Sequence, residues 1–197
     1  MEDTEKGFRD AVRLVALLNL AYFGVEFAVA LSIGSVSLFA DSVDFLEDAS
    51  INFLIVVALS WPVLWRARLG KAMALILLVP SLAAIWAIWQ KIGSFVPPPA
   101  APLSLTGFGA LIVNLACAFI LVSHRNRSGS LSKAAFLSAR NDAFANIAII
   151  SAGLMTAVFP SAWPDLIVGI GIAIMNADAA RKVWQAANAE QTPGAEA

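Results

Sequence analysis

Six apolar stretches, each about as long as the ~20 residues a helix needs to cross a hydrocarbon core, run through this chain. They cover Ala11–Leu31, Ser35–Trp61, Gly70–Gln90, Ser104–Ser123, Lys133–Val158 and Trp163–Trp184. Turn-forming residues separate them: Ser32-Ile-Gly34, Arg66-Ala-Arg-Leu-Gly70, Pro97-Pro-Pro99, Asn126-Arg-Ser-Gly129 and Pro160-Ser-Ala-Trp-Pro164. With 59% hydrophobic and 14% charged residues in 197, a water-soluble globule has too little polar surface to cover such a core. The expected fold is all-α, a polytopic membrane protein of six transmembrane helices. Residues 1–10 are expected to be a cytoplasmic segment, 11–184 the six-helix transmembrane domain, and 185–197 a short cytoplasmic tail. The first ten residues are too charged for a signal peptide, so the first span is expected to be retained. Pro80 is expected to kink the third span.

Basic residues orient the bundle. Of the 13 Lys and Arg, Lys91 lies alone on one side and Arg140 lies within the fifth span; the rest fall together on the other side. Both termini are therefore expected in the cytoplasm, with the protein a multi-pass component of the bacterial inner (cell) membrane. Trp61, Trp65, Trp86, Trp89, Trp163 and Trp184 all lie near span ends, where an aromatic belt would hold them. A net charge of −1 with no basic run offers nothing to nucleic acid. One cysteine, Cys117, excludes an intrachain disulfide and a cysteine-based zinc site, and one histidine, His124, excludes a multi-histidine cluster. His124 reads as a solvated loop residue.

The acids are where a membrane helix should have none. The second span holds Asp41, Asp44, Glu47 and Asp48. An ionised acid at mid-bilayer costs about 2.5–3.5 kcal/mol even on the lenient insertion scale, so these four must face protein or water. At 100° per residue Asp41, Asp44 and Asp48 share a stripe about 60° wide, and Glu47 widens it to about 120°. Asp44 and Asp48 are one turn apart and reach the same point beside the helix. Two carboxylates held that close repel, and a divalent cation or a shared proton relieves them. The fifth span runs the other way, and counting about 1.5 Å per residue from each helix end puts its acid, Asp142, at the depth of that pair. Ser138 lies one turn before Asp142, Asn141 is beside it, and Glu26 with Asn19 adds an acid and an amide in the first span. Asn52, Asn114, Asn146 and Asn176 read as interhelical glue. Asp165 reads as a helix cap at the outer surface rather than as a ligand.

At these residues the chain resembles the cation diffusion facilitator family of divalent-metal efflux transporters. The likeness runs through Asn19-Leu-Ala-Tyr-Phe-Gly-Val-Glu26, Gly34-Ser35, Leu38-Phe-Ala-Asp41 and the four-residue-spaced pair Asp44 and Asp48. It continues in Ser138-Ala-Arg-Asn-Asp142-Ala-Phe-Ala-Asn-Ile and in Trp163-Pro-Asp165-Leu-Ile. The resemblance implies a homodimer, here through membrane helices, that exports metal from the cytoplasm in exchange for protons, with no permanently bound cofactor. It implies Asp44, Asp48 and Asp142 as metal ligands, with Ser138 at the fourth ligand position. Asp41, Glu47, Glu26 and Asn141 lie around that set, and the residues alone leave open whether they bind metal, carry protons or only pack. The family has His or Asp where Ser138 stands, and a carboxy-terminal cytoplasmic domain where this chain is expected to have only its tail. Zinc, cobalt or cadmium is the expected cargo. An all-oxygen site equally suits manganese or divalent iron. The chain is not expected to be an enzyme; the one enzymatic reading, magnesium-dependent chemistry on lipid phosphates, lacks the second Asp-rich motif and the bases such chemistry needs.

Overall fold

A computed structural model describes residues 2–58, 82, 85–93, 95–122 and 130–191, without the side chains of residues 2–6, 54–55, 57–58, 130–141, 179–180 and 182–191. Every regular element among the described residues is a helix: α1 (Glu2–Ile33), α2 (Val36–Ala58), α3 (85–93), α4 (Ala100–Val122), α5 (Ser130–Val158) and α6 (Trp163–Gln191). Most of the third predicted span, Pro80, Trp61, Trp65, His124 and the basic residues of the two loops lie outside the described residues. The segment expected as a separate 1–10 piece is helical from Glu2 and continuous with α1. Apolar length marks where a helix sits in lipid, and charged residues carry the same helix on into the polar layer.

The turn from α1 to α2 follows directly from its residues. Gly34 adopts φ 65°, the left-handed conformation a helix needs at its stop, and Ser35 N donates to Ala30 O at 3.1 Å. Ser35 then starts the next helix, its Oγ accepting from Leu38 N at 3.2 Å as an N-cap. Three prolines, Pro97 to Pro99, hold the chain extended before α4, and Pro160 closes α5 three residues before α6 opens.

α1 packs along α2, α4 along α5, and α6 against α2, with α1 also meeting α4. The central apolar cluster joins Ala30, Leu38, Ala40, Leu103, Ala145, Ile149 and Ile172. Close helix approach rests on small residues, as it does where lipid supplies no hydrophobic drive between helices. A methyl at Gly169 would come within 2.9 Å of the Val36–Ser37 backbone, so α6 lies directly on the start of α2.

The surface is inverted relative to a soluble bundle. Leu105, Phe119 and Ile174 are 71%, 74% and 65% exposed, while Asn19, Glu26, Ser37, Asp41, Ser42, Asn146 and Asp165 are fully buried. Apolar outside and polar inside is the arrangement a bilayer demands. Among the described residues, Gly7–Ile33 and Ala100–Val122 are long and apolar enough to span on their own. In α2 the acids interrupt an otherwise apolar helix. Trp86, Trp89 and Trp163 are exposed at the end of the bundle that carries the Gly34 turn, and Phe95 packs on Trp163 with ring centroids 5.2 Å apart.

Candidate metal centre

The acids of α2 are turned inward by helical period and by packing. Asp41 is fully buried, and Asp44, Glu47 and Asp48 are half-buried on the side facing α5. Asp142 of α5 is half-buried and within Coulombic reach of Asp44, Asp48, Asp41 and Glu47. The antiparallel run of α2 and α5 thus brings the single acid of one helix beside the cluster on the other, as equal depth requires. Asp142 Oδ2 is buried without a hydrogen-bond donor. Asn52 Nδ2 donates to Asp48 O at 2.8 Å, a bond within its own helix. Among the described residues no three His, Cys, Asp or Glu side chains are gathered closely enough to enclose an ion as they stand. Ser138 lies on the α5 backbone one turn before Asp142, but its side chain and those of Asn141 and Arg140 are outside the described residues.

Toward the Gly34 end a second layer of polar groups crosses the bundle. Asn114 Nδ2 of α4 donates to Asn146 Oδ1 of α5 at 3.1 Å, and Asn146 Nδ2 donates to Asp41 Oδ2 at 2.6 Å. Both asparagines are glue, as expected, but one of them is aimed at a carboxylate. Glu26 of α1 faces the same Asp41. Tyr22, one turn along α1, donates its hydroxyl to Thr106 O of α4 at 2.6 Å. Asn176 of α6 bonds Ala40 O of α2 at 3.4 Å. On the other side of the acids, Cys117 Sγ donates to Asn19 Oδ1 at 3.6 Å, with Asp48 and Asp142 within electrostatic reach. Proximity of the lone cysteine to the acids is invisible in the sequence, because the facing of α4 depends on how it packs on α1 and α5.

Asp165 departs from expectation. It is fully buried rather than at the surface, and it caps α2 instead of its own helix. Its Oδ1 accepts from Ser35 Oγ at 2.7 Å, Ser37 Oγ at 2.6 Å and Ser37 N at 3.1 Å, and its Oδ2 from Val36 N at 2.9 Å. The first amides of a helix have no partner within it, and a carboxylate placed there also meets the positive end of the helix dipole. Lys91 of α3 donates to Gly34 O at 2.6 Å and lies near Asp165. Four elements are thereby tied at one end of the bundle, which fixes the outset of the helix that carries the acids.

No curated protein matches the chain. The family model for the cation efflux transmembrane domain matches residues 12–185, from the second residue of the first apolar stretch to just past Trp184. That match takes in α2 to α5 whole and most of α1 and α6, together with the facing acids of α2 and α5, and the chain belongs to the cation efflux family.

Proposed function

We propose that the protein exports a divalent transition-metal ion by exchange for protons, with Asp44, Asp48 and Asp142 as its oxygen ligands. The observation that carries the reading is the placement of Asp142 beside the α2 acids within a bundle whose outer face is apolar. Acids kept inside a membrane protein mark an ion path by default, since each costs several kcal/mol unless it serves one. Ser138 is the fourth position, one turn from Asp142, and water completes the shell where a hydroxyl is a poor ligand. Two partly buried carboxylates on one helix and a third facing them attract a doubly charged ion and repel one another without it. Protons replace the metal when it leaves. Small rocking motions of helices then present the site to either side, and a proton gradient supplies the drive. Basic residues place the termini in the cytoplasm, so the Gly34 end faces outward. A homodimer forms through the membrane helices, in the bacterial inner membrane.

Reconstituted into liposomes, the protein should accumulate metal against its gradient when a pH difference is imposed, and Asp44→Ala or Asp142→Ala should abolish this. Full transport by both variants would overturn the ligand assignment. Zinc, cobalt, cadmium, manganese and iron compared in the same assay name the cargo. Ser138→His should move the ranking toward zinc, which prefers nitrogen to hydroxyl oxygen; an unchanged ranking removes Ser138 from the site.

A further inference from the structure

Glu26 and Asp41 come from different helices, are both fully buried, and lie within hydrogen-bonding range of each other. Taken as two carboxylates they make no sense chemically: Glu26 Oε1, Glu26 Oε2 and Asp41 Oδ1 all lack a donor. A carboxylate is an acceptor only, so two of them in contact form no bond, whereas one proton between them makes a strong one. The neighbouring amides say which side chain holds that proton. Asn114 donates to Asn146 Oδ1, which leaves the Asn146 amide nitrogen to donate to Asp41 Oδ2. The opposite orientation would set a carbonyl oxygen against the acid. A hydrogen bond donated to Asp41 Oδ2 stabilises the charged form of that side chain, which favours the proton on the Glu26 side of the pair.

Every element packed around the pair supports this. α1 contributes Tyr22, α2 contributes Asp44 and Asp48, and α5 contributes Asp142, all acidic groups; α4 offers Asn114, and α6 offers Asn176 to the Ala40 carbonyl. No ion pair to Glu26 or Asp41 is found among the described residues. At about 1.5 Å per residue, Asp41 lies some 7–8 Å from the start of α2 and Asp44 some 12 Å, which puts the pair between the candidate ligands and the Gly34 end.

We propose that Glu26 and Asp41 form a proton-binding station separate from the metal ligands, holding one proton in the half of the bundle nearer the Gly34 end. Its role in exchange rests on the transport reading above. In each cycle the Oε–H bond of Glu26 breaks, the proton passes to water and the electron pair stays on the oxygen; reprotonation reverses the step.

The test uses the full chain in bilayers. The infrared spectrum at neutral pH should contain a carboxylic-acid carbonyl stretch that Glu26→Gln removes and Asp165→Asn leaves in place. In liposomes, Glu26→Gln should cut metal flux driven by a pH gradient at least about tenfold while metal-for-metal exchange at equal pH stays within about twofold. Asp41→Asn should give the same split and serves if the first variant does not fold. An acid band left unchanged by both substitutions overturns the proposal, as does gradient-driven flux at the wild-type level. A fall in metal bound per chain does so too, because it would make Glu26 a ligand. If the wild type moves no metal at all, the transport reading fails, and the infrared band still decides whether the pair holds a proton.

Discussion

Asp165 accepts four hydrogen bonds, from Ser35 Oγ, Val36 N, Ser37 N and Ser37 Oγ, whereas Glu26 has no donor of any ordinary kind and Asp142 has a buried oxygen without one. These acids occupy one bundle, Glu26 and Asp165 fully buried and Asp142 half-buried, and the start of α2 that Asp165 caps lies about 12 Å along that helix from Asp44. A buried carboxylate that is fully supplied with donors is a structural part, since its desolvation is repaid in place. One that is left short of donors is held at a cost, and it gains a partner only when a cation or a proton arrives. Donor supply therefore separates two uses of the same side chain within one protein.

The sharpest way to break this contrast is to neutralise an acid on each side of it. Asp44→Asn and Asp142→Asn should each lower metal transport by about a hundredfold or more, equivalent to ~2.7 kcal/mol. Thermal unfolding in detergent should be unchanged or shifted upward, because an amide relieves repulsion. Asp165→Ala should do the reverse. It strands the donors that start α2, so the loss should be about 3 kcal/mol in unfolding measurements. Asp165→Asn, which keeps an acceptor, should recover part of it. A transporter that lost activity but no stability with Asp165→Ala would blur the distinction drawn here.

Gly169→Ala sharpens the structural side. Its methyl meets the Val36–Ser37 backbone at 2.9 Å, which cannot yield as a side chain can, so about 1–3 kcal/mol of stability should go. Ala at Gly24, where nothing lies within 4 Å, is the control that should cost nothing. The smallest effect concerns Lys91, at the Gly34 end beyond the third span. Burial holds its amine below the ordinary lysine value of 10.5, with Asp165 opposing in part. The unfolded chain then binds that proton more tightly, so stability should rise with pH through the window just below 10.5 and flatten above it. Lys91→Met should remove this slope, as read from denaturation midpoints at several pH values.

Much of the architecture could be read from residue order. Ile33-Gly34-Ser35 announces a helix stop and a helix start, and the structure has both. The predicted openings of α2 and α6 lie within one residue of those found, while α1 runs nine residues further back than its apolar stretch. Polar residues at the lipid surface extend a helix without adding to its hydrophobic signal. At the site, the stripe of acids on α2 and the matching depth of Asp142 follow from 3.6 residues per turn and 1.5 Å per residue. Sequence marks Asp165 as a helix cap but not which helix it caps, because capping rules see only neighbours in sequence; its partners are about 130 positions away. Asn146 reads as glue from sequence because nothing local distinguishes an amide that faces another amide from one that faces a carboxylate.

Periodicity and hydropathy, then, settle which segments are helices, how deep each polar group lies and which groups share a face. They say nothing about how each helix is rotated on its own axis against the others, since lipid accepts an apolar face at any angle. Packing contacts such as Gly169 on Val36 and Ile149 on Gly107 select that rotation. Through it they decided that Asp142 meets the α2 acids, that Glu26 meets Asp41, and that Asp165 closes the end of a helix other than its own.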